Sequence, residues 1–348
     1  MPGGGAQFER EILEQADVTR RLLAEQGEPV RAAAEAIAAR RPAGFVIAAR
    51  GTSDHAAPYA KYLLEMRNGA AVSLAAPSAF SLYRRPPRVG RFCVVGISQS
   101  GASPDICSVL EEGRRQGALT VALTNHPASR LARAAGFVLP LSAGEERSVP
   151  ASKTFTATLC LLAMLSQALS ADGQFSTGLG RVPDAIQHVL DTGRQPGVLE
   201  PLAAALAAPR LAVLGRGFHL ATAQEIALKI METSYAVAEA RSIADFQHGP
   251  LAIVEPGFPV LLLESGGPTL RQMRALGEQL AGLGARTVQI TDRRVSGPLI
   301  WALRLGLPES LTPLPFAVAG QLLALEIARR RGFDPDRPRS LHKVTITR

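Results

Sequence analysis

The stretch Arg91-Phe-Cys-Val-Val-Gly-Ile97, followed by Ser98-Gln-Ser-Gly-Ala-Ser103-Pro104, decides the fold. The apolar run reads as a buried strand, because charged and polar side chains are missing on both alternating faces. The polar, Gly-containing segment after it reads as a loop, and Pro104 suits the first turn of a helix running to Gln116. A third segment, Leu119–Thr124, returns as a strand. Upstream, Phe45–Ala49 is a strand ending at Gly51, with a helix from about His55 to Arg67, and residues 8–40 are helical in pattern. Strands alternating with helices predict a parallel sheet with right-handed crossovers.

The pattern then repeats. Leu211–Leu214 is a strand ending at Gly215-Arg-Gly217, with a helix from about Leu220 to Val237. Pro259–Leu263 is a strand, Glu264-Ser-Gly-Gly267 a turn, Thr269–Leu283 a helix and Thr287–Thr291 a strand. Gly51 precedes Ile97 by 46 residues, and Gly217 precedes Leu263 by the same 46. An offset held through several elements predicts two tandem α/β domains, each a parallel sheet flanked by helices in a flavodoxin-like three-layer arrangement. The expected division is a helical segment at 1–40, a first domain at 41–171, a connector at 172–200, a second domain at 201–330 and a tail at 331–348.

Composition narrows the class. Of 348 residues 47% are apolar and only 5% aromatic, which suits an Ala/Leu/Val-rich enzyme and not a disordered or fibrous chain. The apolar-leaning stretches Thr154 to Ala171 and Leu311 to Ala328 are interrupted by polar residues or proline, so buried helices are expected there and not membrane spans. The start, Met1 to Arg10, has no apolar core for a signal peptide. Cys93, Cys107 and Cys160 are odd in number and sit in apolar surroundings, as buried thiols in a cytoplasmic protein would. The net charge of +8 comes without a basic run or aromatic-interleaved patch, so no nucleic-acid partner is expected. The six histidines form no ligand spacing, so no metal is expected, and with neither a Walker motif nor a dinucleotide fingerprint in the strand-end loops no other cofactor is expected. Of 38 basic residues only Lys61, Lys153, Lys229 and Lys343 are lysine. Where arginine is used so freely, the retained lysines point to chemistry that needs an ammonium able to lose its proton.

In open parallel sheets ligands bind beyond the carboxyl ends of the strands. There the first copy offers Gly51-Thr52-Ser53 and Ser98-Gln99-Ser100-Gly101-Ala102-Ser103, hydroxyls beside a helix N-terminus, which suit a phosphate. One helix cap needs one serine, and this loop has three. Glu264 takes the place of Ser98 in the second copy and would repel phosphate. Glu225, Lys229 and Glu232 lie at helical spacings of four and three, on one face. Pattern alone reads this as a solvated ion-pair stripe; the rarity of lysine favours a site. His248, in the turn Phe246-Gln-His-Gly-Pro250, has the structural role most histidines have as its alternative. Lys343 has a surface position near a frayed terminus as its alternative.

These segments resemble the sugar isomerase (SIS) family, in particular the isomerase half of glucosamine-6-phosphate synthase and its free-standing relatives. The likeness runs through Glu11-Ile-Leu-Glu-Gln15, Gly51-Thr-Ser53, Ser98-Gln-Ser-Gly101, Val149-Pro-Ala-Ser-Lys-Thr-Phe155, Glu225 to Glu232, His248-Gly-Pro250 and Pro338 to Lys343. The resemblance implies a phosphosugar isomerase without a cofactor. Thr52, Ser98, Gln99, Ser100 and Ser103 match phosphosugar-binding positions, and Gly51, Ser53, Val149, Ala151 and Glu225 join them. Glu232 matches the base that shuttles a proton between C1 and C2. His248 matches a ring-opening histidine given to the neighbouring subunit of a homodimer. Lys343 matches a tail lysine that forms a Schiff base, and Lys229 a helix lysine beside the reacting carbons. No glutamine-hydrolysing half with an N-terminal cysteine is present, and Arg50 stands where a small residue or cysteine is usual. The stretch Ala221 to Glu225 resembles that of glucosamine-6-phosphate deaminases, which makes deamination the expected reaction. Aldose–ketose isomerisation, a fructosamine-phosphate deglycase and a non-catalytic phosphosugar sensor are the alternatives.

Overall fold

A computed structural model describes residues 4–343 of the chain. Its elements in order are α1 (Ala6–Leu13), α2 (Gln15–Glu25), α3 (Gly27–Arg40), β1 (Phe45–Ala48), α4 (Thr52–Asn68), β2 (Val72–Leu74), α5 (Pro77–Ser81), β3 (Cys93–Ile97), α6 (Pro104–Arg115), β4 (Leu119–Thr124), α7 (Arg130–Ala134), β5 (Phe137–Pro140), α8 (Lys153–Leu169) and α9 (Gly173–Gly180). They continue with α10 (Val182–Gly193), α11 (Leu199–Leu206), β6 (Arg210–Gly215), α12 (His219–Ser234), β7 (Val237–Ser242), α13 (Ile243–Gln247), β8 (Pro259–Glu264), α14 (Leu270–Gly282), β9 (Arg286–Thr291), β10 (Ile300–Ala302) and α15 (Pro313–Arg330). Short 3-10 turns occupy Pro250–Ile253 and Glu309–Leu311.

The chain forms two compact units. One holds Asp17–Glu146, Lys153–Gly180, His342 and Lys343; the other holds residues 4–16, Arg147–Ser152 and Arg181–Leu341. Each contains one five-stranded parallel sheet. The first runs β2-β1-β3-β4-β5, and the second, read from its other edge, runs β7-β6-β8-β9-β10. These orders are the same 2-1-3-4-5, so the repeat read from the 46-residue offset is a repeat of topology.

Alternation sorts the side chains of the first sheet. Val46, Ala48, Val94 and Ala122 join Phe80, Ile106, Leu110 and Leu131 in one core, against α5, α6 and α7. The intervening strand residues, such as Ile47, Val95 and Val121, are equally buried, and α3, α4 and α8 pack together there. The second unit repeats the scheme, with Ala212, Leu214, Val260 and Leu262 against α13 and α14. Burial on both faces explains why the central strands read as continuous apolar runs.

Several expectations change. Residues 8–40 are three helices, interrupted at Glu14 and Gln26, and α1 groups with the second unit. The stretch 172–200 is largely helical, in α9, α10 and the start of α11. The helix expected to reach Val237 ends at Ser234, because Tyr235 turns left-handed at φ 55°, and Val237 begins β7. The tail divides, 331–341 with one unit and His342 and Lys343 with the other, and 344–348 of the expected tail lie outside the described residues. All three cysteines are free and buried, and burial pushes the Cys93 and Cys160 thiols up to about 12 and Cys107 to about 11. Such thiols are inert packing groups. Among the described residues no helix is long and apolar enough to cross a membrane, and no cluster of His, Cys, Asp and Glu could hold a metal ion.

Candidate active site

In the order 2-1-3-4-5 the switch point lies between β1 and β3, and the two polar loops leave the sheet there. Gly51 turns at φ 55° into α4, so Thr52 and Ser53 open that helix half-buried. After β3, the backbone N–H of Gly101 donates to the Ser98 hydroxyl at 3.2 Å, and that of Ala102 to the Ser100 hydroxyl at 3.3 Å. Gly101 has φ 61°, and a Cβ there would collide with the Ser129 hydroxyl. The loop therefore needs glycine on both counts. Thr124, at the end of β4, fixes the Gln99 carbonyl with its hydroxyl at 3.3 Å.

Ser103 is the N-cap residue of α6, yet its side chain makes no capping hydrogen bond. Ser129 ahead of α7 does, accepting from the Ala132 N–H at 3.3 Å. The same residue type thus caps one helix and leaves its hydroxyl available at the other. This weighs against reading the Ser98–Ser103 loop as a cap alone.

Beside this loop lies a cavity of about 540 Å³, lined by Gln99, Ser100, Asn125, His126, Glu146 and Lys343 among others. The Lys343 ammonium donates to Glu146 Oε2 at 2.8 Å, and the buried Glu146 carboxylate also accepts from the Thr154 N–H and hydroxyl, at 3.1 and 2.9 Å. The structure therefore brings Lys343 to the same wall as Gln99 and Ser100. Sequence reasoning missed Asn125, His126 and Glu146. The first two directly follow a strand end, a signal that was legible; Glu146 sits in an irregular segment with no periodic cue.

In the other unit, α12 carries Glu225, Lys229 and Glu232. Lys229 Nζ lies 2.6 Å from Glu232 Oε2 and 3.4 Å from Glu225 Oε1. Lys229 and Glu225 are fully buried, whereas the Glu232 side chain keeps 20% of its surface. The solvated ion-pair stripe is thereby excluded, since a surface pair would leave the lysine wet. A buried ammonium between two carboxylates holds both in fixed positions, and Glu232 alone reaches solvent.

Val149 and Ala151 are half-buried in the segment that follows two backbone N–H groups held by the buried Glu11 carboxylate, those of Arg147 and Ser148. His248 is exposed after α13, next to Gly249 at φ 130°. The apolar run after it is a 3-10 turn in which Ile253 is also exposed.

The chain belongs to the SIS-domain family, whose model matches residues 44–168 and 206–296. It is 33% identical over 352 residues to a glutamine–fructose-6-phosphate aminotransferase (isomerizing) from Thermococcus kodakarensis, covering 97% of this chain and 57% of that protein. With the enzyme of the same name from Gloeobacter violaceus the identity is 32%, over 86% of this chain and 51% of the relative. The chain thus spans about half the length of the curated relatives it matches. Among solved structures, a candidate phosphosugar isomerase from Silicibacter pomeroyi superposes with TM-score 0.84 at 34% identity, covering 95% of this chain and 99% of that one. A glucosamine-6-phosphate deaminase from Thermotoga maritima, at TM-score 0.77, 20% identity and coverage of 98% and 100%, shares the fold.

Proposed function

We propose that the chain binds glucosamine 6-phosphate and converts it to fructose 6-phosphate and ammonia. Thr52, Ser53 and the Ser98–Ser103 loop hold the phosphate, with Gln99 fixing its approach. His248 opens the ring. Glu232 then takes the proton from C2 of the open-chain aldehyde and returns it to C1, leaving a ketose imine. Water adds to that imine and ammonia departs, which balances the reaction without any redox partner. Lys229, anchored by Glu225, holds Glu232 in place for both proton transfers, and Lys343 contacts the open-chain sugar. Val149 and Ala151 complete the substrate contacts.

The observation that carries the reading is the shared cavity, because an ammonium beside a hydroxyl-rich loop at a strand-end switch point suits a phosphorylated carbonyl compound. The Ala221–Glu225 stretch favours deamination over simple isomerisation. The exposed position of His248 is compatible with its use by a second copy in a homodimer. The similarity to isomerizing aminotransferases supports the C1–C2 chemistry, which both reactions need.

The test is release of ammonium and fructose 6-phosphate from glucosamine 6-phosphate, with neither glutamine nor metal added. Glu232→Gln should lower turnover by about 10³-fold while leaving phosphosugar binding intact, the range expected for a general base. A fully active variant overturns the assignment of Glu232. Binding without release by the unaltered protein would instead favour a different epimer or nitrogen substituent, or the sensor.

A further inference from the structure

The phosphate-binding loops carry an arginine that the serine and threonine motifs do not account for. Arg50 directly precedes Gly51, and its Nε donates to Asp105 Oδ2 at 2.8 Å. Asp105 is buried in the first turn of α6, and its other oxygen accepts from the Ile106 N–H at 2.9 Å. The pair joins the loop after β1 to the helix that follows the Ser98–Ser103 loop. The carboxylate is clamped on both oxygens, so it fixes one edge of the guanidinium. The Arg50 side chain nevertheless keeps 46% of its surface. Among the described residues its Nη groups have no hydrogen-bond partner.

Charge gives the arrangement its sense. The first turn of α4 contains Asp54 and the first turn of α6 contains Asp105. Carboxylates at these two N-termini consume the positive ends that would otherwise attract a phosphate. Arg50 faces both: it is bonded to Asp105, and at Asp54, where burial holds the carboxyl above its ordinary value, His55 and then Arg50 pull the other way. A planar guanidinium tethered through Nε has its two Nη groups left for a second, bidentate oxyanion.

We infer that Arg50 is a phosphate-recognition residue, its guanidinium oriented by Asp105 to bind the phosphate monoester of the sugar. The inference rests on the phosphosugar reading above and adds to it the residue that selects a dianion over a neutral sugar.

The test measures inorganic phosphate and glucosamine 6-phosphate binding calorimetrically at low ionic strength, with KM and kcat where turnover is found. Arg50→Ala should weaken both ligands at least tenfold, with the loss falling on KM, and should flatten the salt dependence of binding. Arg50→Lys should recover only part of the loss, since an ammonium cannot be held and be bidentate together. Asp105→Asn should give an intermediate loss, and adding it to Arg50→Ala should restore nothing. Unchanged phosphate binding in Arg50→Ala overturns the inference. So does full recovery in the double variant, which would make Arg50 a mere counterion to Asp105. Ser100→Ala with Ser103→Ala separates the two levels. If these lose phosphate while Arg50→Ala does not, the phosphosugar reading stands and this inference falls. If the unaltered protein binds neither ligand, both fall. Arg50 is half-exposed, and melting temperatures of the variants check that none has lost its fold.

Discussion

Two loops at equivalent places in the two sheets differ in what their hydroxyls face. Ser98–Ser103 follows β3, and Glu264–Thr269 begins on the last residue of β8. Both contain a glycine at positive φ, Gly101 at 61° and Gly267 at 104°, and each ends on a hydroxyl residue ahead of a helix. In the first loop the Ser103 hydroxyl makes no cap and the neighbouring cavity is open. In the second, the Glu309 carboxylate accepts from the Ser265 and Thr269 hydroxyls, both at 3.4 Å, and packs over Gly267. Glu264 is buried against Arg293 at 2.9 Å. The turn Glu309–Leu311 thus brings the protein's own carboxylate to the hydroxyls of the second loop, and the corresponding place beside the first loop is a cavity. Backbone geometry alone does not make a binding site; what occupies the cradle decides.

Removing the internal countercharge is the sharpest way to break this contrast. Arg293→Met leaves Glu264 buried and unpaired, and should cost about 3 kcal/mol of stability in denaturant unfolding. The residue at the matching place in the first copy, His126, lines an open cavity, and His126→Met should change stability by less than about 0.5 kcal/mol. Equal effects in the two copies would mean that both strand ends are equally closed. The binding counterpart is slightly smaller. Ser100→Ala combined with Ser103→Ala should weaken glucosamine 6-phosphate about 100-fold, or about 2.7 kcal/mol, whereas Thr269→Ala should leave it unchanged. Weakened binding in Thr269→Ala would assign a ligand to the second loop after all.

The first of these loops was legible from sequence, and the filling of the second was not. The central strands were readable because burial on both faces leaves no polar residue to interrupt them, so β4 falls at Leu119–Thr124 as expected. The outer strands β2 and β10 have three residues each, too short to carry a period, and β7 alternates with Glu239 and Arg241. The expectation for Glu264 rested on its charge alone and did not include the groups that surround it. Its partner Arg293 is 29 residues away, across a helix and a strand, and Glu309 is 45 away, across a helix and two strands. Likewise the spacing of Glu225, Lys229 and Glu232 gave their common face, but only packing determined that this face is buried. A fully buried lysine and a surface lysine share one helical pattern.

The same turn closes the other strand end of the second copy, and this gives a pH-dependent test of the contrast. Two residues after Gly51 stands Ser53, half-buried at the open loop; two residues after Gly217 stands His219, fully buried. The Thr312 hydroxyl donates to the Glu309 carbonyl at 2.7 Å and so accepts from His219 Nε2, 2.9 Å away. That assigns the proton to Nε2, and Nδ1 has no hydrogen-bond partner among the described residues. Burial lowers the His219 pKa to about 3 from an ordinary 6.5. The unfolded chain therefore binds a proton between these values that the folded chain refuses. Stability from this residue is fully present above pH 6.5 and is lost as pH falls toward 3, at up to about 1.4 kcal/mol per pH unit. His219→Gln retains a donor for Thr312 and cannot titrate, so it should flatten the acid limb of the stability curve by that slope. Ser53→Ala should leave the limb as it is. If His219→Gln shows the same acid dependence as the unaltered protein, water reaches the imidazole, and the second copy is open at this end as well.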